Sequence, residues 1–301
     1  MRRAVRLSLL LLPLTFAVHF PAEARESSVD GSGMIDYTRP PKLEVGSWVQ
    51  YRMQSKSIQG FQDDYTLTIL IAGEEEWWGE PCFWVETWTE DVGKPKRTMA
   101  SLMPYSMFGD SMASKHVTWF LRKSIQGLGP DGKPQQVIHR RDDNDLFARK
   151  GAPKDEPVEV RRDTLGRDST SVPIGRFADC LKTRQVLRIV EQVTKGDSSI
   201  YYERNEERTR FITHDVPITS FAREDVDDHQ VGRSWKLGES QKAGPLKTLE
   251  RARGALVLVG TGKGDLTPEL VPERYRRSIR EQEAAQKAAP KAPAKKAARS
   301  G

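Results

Sequence analysis

Alternation of apolar and polar residues is the dominant pattern between residues 42 and 265. Short segments with this period of two are rich in β-branched and aromatic residues, and glycine and proline separate them. The pattern predicts a mainly β domain built from two antiparallel meanders, 42–140 and 157–265, with a charged connector, 141–156, between them. The predicted strands are Ser47–Ser57, Asp64–Gly73, Cys82–Glu90, Lys96–Met103, His116–Ser124 and Gln135–Arg140, then Pro157–Leu165, Thr170–Val193, Ser199–Val216, Ile218–Val226, Ser234–Gln241 and Gly254–Gly262.

One predicted strand is unusually rich in tryptophan. The stretch EEEWWGEPCFWVETWTE holds four of the seven tryptophans. Strand side chains alternate between faces, so one face carries Cys82, Trp84, Glu86 and Trp88, and the other carries Phe83, Val85 and Thr87. A strand buried on both faces explains this composition. Alternatively, Trp84 and Trp88, together with Trp119, line a site for an apolar ligand, or tryptophans stack on carbohydrate.

The N-terminus has the three parts of a secretory signal peptide. Arg2, Arg3 and Arg6 precede a broken apolar run, and Ala22-Glu23-Ala24 is a small-x-small cleavage site. We therefore predict cleavage after Ala24, a polar linker over 25–41 and a periplasmic protein, with outer-membrane association, secretion or an uncleaved anchor as alternatives. No later apolar run approaches the length of a membrane span, so none is predicted in the mature chain.

The C-terminal end predicts a helix and a basic tail. Thr267-Pro268-Glu269 is a typical helix start, with Pro272, which limits the first turn, as an alternative start. Strong helix formers follow from Glu273 to Ala288, so we predict a helix over 266–288 and a disordered Ala/Lys/Pro tail over 289–301. Residues 274–301 hold nine basic and two acidic side chains, a net charge of +7, whereas residues 25–273 carry −3. The folded part therefore lacks the basic surface of a nucleic-acid-binding domain, and the tail is either solvated or docks on an anionic surface.

No motif indicates catalysis or a bound metal or cofactor. The histidines are not spaced for zinc, and the acidic clusters Asp142–Phe147 and Glu224–Asp228 lack the ligand ladder of a calcium loop. The segment GTGKGD lacks the ending of a phosphate-binding loop, and no serine lies in a nucleophile elbow. We therefore predict no cofactor and no enzyme activity. An unrecognised hydrolase stays open, because a pair of catalytic carboxylates is brought together only in space.

Three segments in the second meander resemble one protein family. VPIGRFADCLKTRQV, SSIYYERNEERTRFITHDVPITSFARED and GALVLVGTGKGD, spread over 157–265, resemble secreted bacterial half-barrel proteins of the lipoprotein-localisation-factor-like (lipoprotein carrier) superfamily. Two features depart from it: Ser220 stands where glycine is usual, and the basic tail is extra. The resemblance implies one strongly curved antiparallel sheet whose concave face is apolar and, in the carriers, holds acyl chains. It supplies no catalytic residues.

These observations lead to three functional hypotheses. The first is a non-catalytic periplasmic protein that binds a lipidic or other apolar ligand on the concave face of a half-barrel. The alternative is an envelope scaffold that binds envelope proteins and docks on anionic surfaces through its tail. The second alternative is the unrecognised hydrolase.

The chain has two cysteines, Cys82 and Cys180. Each opens a predicted strand after a glycine turn, and an exported protein meets an oxidising compartment. We therefore predict a disulfide between them. The alternative is that both are small buried apolar side chains.

Overall fold

The computed structural model describes residues 43–60, 62–107, 121–129, 132–139, 158–239 and 245–288. The predictions for the signal peptide (1–24), the linker (25–41), the connector (141–156), the tail (289–301) and Trp119 fall outside the described residues.

Eleven strands in the described part of the chain form one antiparallel sheet. Their bounds are β1 Ser47–Ser57, β2 Gln62–Trp77, β3 Glu80–Asp91, β4 Arg97–Pro104, β5 Lys123–Leu128, β6 Pro134–Ile138, β7 Val158–Val172, β8 Gly175–Lys195, β9 Ser198–Ile212, β10 Phe221–Lys236 and β11 Lys247–Lys263. This confirms the mainly β prediction. The segment predicted as a separate strand at Ser234 is instead the end of β10, and β11 begins before the predicted Gly254.

The first and last strands join the two meanders. The strand order is β6-β5-β4-β3-β2-β1-β11-β10-β9-β8-β7. Every neighbouring pair except β1 and β11 is consecutive in sequence, so the pairing of β1 with β11, which aligns Trp48 with Gly262 and Met53 with Leu256, turns two meanders into one sheet. The sheet is open, because β6 and β7 stand at its opposite ends.

One face of the sheet is concave. Side chains from distant strands, such as Phe83 on β3 and Val172 on β7, belong to a single buried cluster, and strands so far apart in the order meet only if the sheet curves toward that face. This concave-face cluster consists of Val49, Tyr51, Leu67, Ile69, Ile71, Phe83, Val85, Met103, Met107, Leu121, Val172, Val216, Ile218, Phe221, Ala222, Leu256 and Leu258.

A second buried cluster lies on the opposite, convex face of β2–β5. This convex-face cluster consists of Leu70, Ala72, Cys82, Trp84, Trp88, Ala100, Leu102, Ile125, Leu270 and Val271. Its last two members come from a segment after β11, residues 266–278, which we call the C-terminal strap. The strap lies so close to β2 that a Cβ on Gly73 would be 1.8 Å from the Tyr275 carbonyl oxygen, so only glycine fits there.

The C-terminal helix is shorter than predicted. It covers Ile279–Ala288 (α1), and a single 3-10 turn at Glu273–Tyr275 precedes it. Ser278 is its cap: the Glu281 amide donates to Ser278 Oγ over 3.3 Å, and the Ser278 amide donates to Glu281 Oε2 over 2.9 Å, a reciprocal capping box. The predicted helix start at Thr267 is therefore wrong. No helix among the described residues has the length and apolar character needed to cross a membrane.

Candidate functional site

The concave face of β1–β4 is filled by its own apolar side chains. Tyr51 anchors this packing: its ring stacks on Phe221 with centroids 4.9 Å apart, and its hydroxyl donates to the Phe221 carbonyl over 2.5 Å. The hydroxyl also lies 2.6 Å from Thr219 Oγ1. Burial raises the pKa of Tyr51 well above its ordinary value. This neutral hydroxyl ties β1 to the loop that precedes β10.

Ser220, which stands where the resembled family usually has glycine, lies in that loop. Ser220 has φ 57° and Ile218 has φ 65°, both in the left-handed region that favours glycine. A glycine at position 220 would adopt this backbone without strain, whereas serine adopts it because burial of Ile218 and the Tyr51–Thr219 contact hold the loop in place.

The concave face of β9 and β10 carries a ladder of ion pairs. Glu224 is paired across the sheet with Leu256 of the concave-face cluster, and directly opposite strand residues share a face. We call the following set the charged ladder: Arg204, Glu206, Arg208 and Arg210 of β9 with Glu224 and Asp228 of β10. In the spatial order Asp228, Arg204, Glu206, Arg208, Glu224 and Arg210 the charges alternate in sign, so each side chain has an oppositely charged neighbour.

The geometry of the charged ladder is tight. Arg204 bonds Glu206 over 2.9 Å and Asp228 over 2.8 Å, and Arg208 contacts both Glu206 and Glu224. Burial opposes ionisation of Glu206, but the guanidiniums of Arg208 and Arg204 outweigh it and hold the pKa of Glu206 below its ordinary value. The concave face is thus apolar on β1–β4 and charged on β9–β10, which corrects the expectation of a uniformly apolar surface.

A cavity of about 810 Å³ lies where the sheet meets the C-terminal strap. Its wall is partly apolar and partly charged, and both the sheet and the strap contribute to each part. The apolar lining comes from Leu43, Val45, Leu70, Ile71, Ala72, Phe83, Tyr105, Leu266 and Pro268, and the charged or polar lining comes from Glu44, Glu74, Lys263, Arg276, Arg277, Ser278, Arg280 and Glu281. Ile71 and Phe83 also belong to the concave-face cluster, so the cavity continues its apolar surface outward.

Most charged groups around the cavity are already engaged. Lys263 pairs with Glu44 over 2.7 Å, and Glu74 accepts the Ile279 amide over 2.8 Å. The Arg276 Nε donates to the Val271 carbonyl over 2.8 Å. In contrast, Arg277 and Arg280 are exposed and form no ion pair with any residue that the structure describes. Two guanidiniums at the mouth of the cavity are therefore available to an anionic group.

The predicted ligand-lining tryptophans lie elsewhere. Trp84 and Trp88 are 1% and 7% exposed and belong to the convex-face cluster under the C-terminal strap. The indole N–H of Trp84 donates to Glu75 Oε2 over 3.0 Å, and Lys96 lies over the Trp88 ring at 4.6 Å. In this structure both side chains pack as core on the face opposite the concave one, and neither lines the cavity.

Glu86 was not singled out as a functional residue, although an acid among the apolar positions of its face is a visible signal. Its fully buried carboxylate accepts the backbone N–H groups of Glu269, Leu270 and Val271 over 2.7, 3.1 and 3.2 Å. Burial raises the pKa of Glu86, against the lowering effect of these three hydrogen bonds. This residue fixes the C-terminal strap on the sheet and so positions the charged side of the cavity.

The two cysteines are free and buried in the structure. Cys82 lies on β3 and Cys180 on β8, six positions apart in the strand order. The two thiols also donate to different carbonyls, Cys82 to that of Glu80 and Cys180 to that of Phe177. The predicted disulfide is absent from this structure, which matches the alternative of two buried thiols.

Catalytic and metal chemistry finds little support in the described residues. No three His, Cys, Asp or Glu side chains there are grouped to hold a metal ion. Ser124 Oγ lies 2.7 Å from His139 Nε2, but Ser124 is only 2% exposed. A substrate carbonyl cannot reach that hydroxyl, so the pair is structural in this conformation.

Comparison with known proteins gives similarities of fold alone. No protein-family model and no curated protein sequence matches the chain. A crystal structure from Bacteroides fragilis, described as an exported protein with a YmcC-like fold, is 11% identical with a TM-score of 0.29, over 75% of this chain and 100% of that one. A LolA superfamily protein from Nitrosomonas europaea is 11% identical with a TM-score of 0.25, over 79% and 96%. The Pseudomonas aeruginosa MucA/MucB complex matches at 7% identity with a TM-score of 0.15, over 77% and 91%.

Proposed function

We propose that the chain is a non-catalytic periplasmic binding protein for an amphiphile, whose apolar part enters the cavity between the sheet and the C-terminal strap. The observation that carries the proposal is the combination, in one cavity, of an apolar wall with two guanidiniums that have no ion-pair partner among the described residues. The proposed ligand therefore lies at the end of the sheet and not on the tryptophan strand.

The apolar wall supplies the binding free energy. Ligand cavities of proteins typically enclose roughly 300–1,000 Å³, and the volume here, about 810 Å³, lies in that range. Each methylene group that leaves water contributes about 0.8 kcal/mol. Leu43, Val45, Tyr105 and Leu266 offer such a surface, whereas the ion pairs of the charged ladder make the β9–β10 part of the concave face unsuitable for an acyl chain.

Arg277 and Arg280 supply the preference for an anionic head group. Guanidinium groups form paired hydrogen bonds with carboxylate or phosphate oxygens. Because both side chains are exposed at the mouth, they would meet a head group that stays near solvent while its chain enters the cavity. The expected ligand is therefore a fatty acid or a phosphate-bearing lipid, in preference to an uncharged one.

The periplasmic part of the proposal is supported by the signal sequence. Export and cleavage after Ala24 would give a mature chain that begins at Arg25. N-terminal sequencing of protein taken from the cell envelope tests this, and an intact Met1 in the cytoplasmic fraction would contradict it.

Calorimetric titration of the full mature chain tests the ligand. Two detergents with the same chain, dodecyl phosphate and dodecyl maltoside, are titrated below their micelle-forming concentrations. In the double variant Arg277→Glu/Arg280→Glu, the Kd for dodecyl phosphate is expected to rise at least about tenfold, since two charge-assisted contacts become repulsive. The Kd for dodecyl maltoside is expected to stay within about twofold, because the apolar wall is unchanged.

Two further variants complete this experiment, one as a control for charge and one as a test of the apolar wall. Arg97→Glu/Arg162→Glu makes the same charge change at exposed positions outside the cavity and should leave both affinities unchanged. Leu43→Trp narrows the apolar wall and should weaken both ligands. Absence of binding by the unaltered chain, or an equal loss in both double variants, would refute the proposed site.

A further inference from the structure

Trp78 occupies a position that is costly for tryptophan. It forms the two-residue turn between β2 and β3 with Gly79, and their φ angles are 54° and 78°. Such a turn favours Asn-Gly, because both residues need a left-handed backbone, and a bulky residue is rarely found there. The indole is also 67% exposed. Tryptophan is therefore unfavourable here in two ways, because its backbone is left-handed and because its apolar ring is exposed to water. Such a cost at one residue points to a functional role.

The exposed indole is continuous with the C-terminal strap. Trp78 packs edge-on against Trp77 with ring centroids 6.3 Å apart, and the Lys123 ammonium bridges Trp77 and Tyr275, at 3.7 and 6.0 Å from their ring centroids. The Arg274 guanidinium lies 4.5 Å over the Tyr275 ring. Since the strap also lines the cavity, through Arg276, Arg277 and Ser278 among others, the hairpin tip and the cavity mouth belong to the same end of the molecule.

The excess of positive charge at this end begins at Arg274. Among the exposed side chains that the structure describes here, Arg274, Arg277 and Arg280 are balanced by Glu76, Glu273 and Glu281. The chain from Arg274 onward carries a net charge of +7 by sequence. A partner that accepts both an amphipathic indole and several cations is the head-group layer of an anionic bilayer, where tryptophan and basic residues are favoured.

We propose that this end of the molecule docks on an anionic phospholipid bilayer, with Trp78 in the head-group layer and Arg274 against lipid phosphates. In this orientation the cavity mouth faces the membrane, so an amphiphile passes between bilayer and cavity without crossing water. The docking stands on Trp78 and on the net charge of +7 from Arg274 onward; the passage of a ligand rests on the proposed function.

Vesicle co-sedimentation of the full mature chain tests the docking. Vesicles of phosphatidylglycerol and phosphatidylcholine (1:1) are compared with pure phosphatidylcholine. The matched variants are Trp78→Asn, which suits the turn better than tryptophan, and Val92→Asn, which removes an apolar side chain, 96% exposed, from the turn after β3 at the opposite end of that strand. Arg274→Glu tests the charge without altering a cavity-lining residue.

The unaltered chain and Val92→Asn are expected to bind the anionic vesicles equally and the neutral ones weakly. Trp78→Asn should weaken binding at least about fivefold, and Arg274→Glu about 25-fold, since each basic charge at an anionic surface contributes about fivefold. All four proteins should bind dodecyl phosphate with equal affinity, which separates this proposal from the proposed function. Equal vesicle binding by Trp78→Asn and Val92→Asn would overturn the proposal, because any binding would then come from the tail. No preference for anionic vesicles would overturn it as well.

Discussion

Single residues on β3 show what alternation in a sequence can and cannot predict. The assignment of Phe83 and Val85 to one face and of Cys82, Trp84 and Trp88 to the other is confirmed by their membership of the two clusters. What covers the tryptophan face could not be predicted, because the covering residues Leu270 and Val271 lie more than 180 positions later in the chain. No local pattern links positions so far apart.

At this scale the two thiols give a direct prediction. Burial raises the pKa of Cys82 to about 12 and also raises that of Cys180, so neither forms a reactive thiolate near neutral pH. We expect no reaction of the native chain with a disulfide reagent such as Ellman's at pH 8, and two thiols per chain after denaturation without reductant. A count of zero after denaturation would show that the exported protein forms the predicted disulfide.

At the scale of elements, strands followed their local sequence and the C-terminal helix did not. Thr267-Pro268-Glu269 has the local features of a helix start, yet this segment is not helical because the Glu86 carboxylate accepts the backbone N–H groups of residues 269–271 and the convex-face cluster buries Leu270 and Val271. The helix begins at Ile279, where Ser278 and Glu281 form their own cap. Tertiary contacts here outweigh intrinsic propensity.

The attachment of the C-terminal strap should depend on Glu86. In Glu86→Gln one amide oxygen remains as acceptor, while the NH₂ group faces backbone donors. We expect the unfolding free energy to fall by about 2 kcal/mol in urea denaturation at pH 7, and hydrogen exchange at the amides of residues 269–271 to accelerate. Glu90→Gln, the same change at an exposed position of β3, is the control. Unaltered exchange in Glu86→Gln would show that the strap is held in another way.

The charged ladder should make stability depend on pH through Glu206. Its pKa in the folded chain lies below the ordinary value of 4.5, so its contribution is present above that value and is lost as the pH falls through the lowered pKa. Glu206→Gln leaves Arg204 and Arg208 without this partner and should cost about 2–3 kcal/mol at pH 7. The difference in unfolding free energy between the unaltered chain and Glu206→Gln should become smaller at about pH 3.

The control for this experiment is Glu207→Gln, the adjacent residue, which is exposed and has its nearest cation, Arg184, at 4.0 Å. It should change stability by less than about 0.5 kcal/mol at either pH. If Glu206→Gln behaves like this control, the charged ladder contributes nothing to folding, and its role lies elsewhere.

At the scale of the whole molecule, the sequence predicted two meanders but not how they join. The pairing of β1 with β11 connects residues about 200 positions apart, and only the family resemblance implied a single curved sheet. The same resemblance implied an apolar concave face, which holds for β1–β4 and fails for β9–β10. The ERNEERTR stretch of β9 carried the signal for that failure, since its alternate residues place Arg204, Glu206, Arg208 and Arg210 on the inward face.

Photo-crosslinking with a fatty acid that carries a diazirine at the end of its chain tests the location of the binding site most directly. The full mature chain is irradiated with the probe, digested and mapped by mass spectrometry, with excess unlabelled fatty acid as competitor. If the proposed site is correct, competed crosslinks lie in the apolar wall, at Leu43, Val45, Phe83, Tyr105 or Leu266. Competed crosslinks at Trp84 and Trp88, or along β9 and β10, would contradict it, as would labelling that unlabelled fatty acid does not reduce.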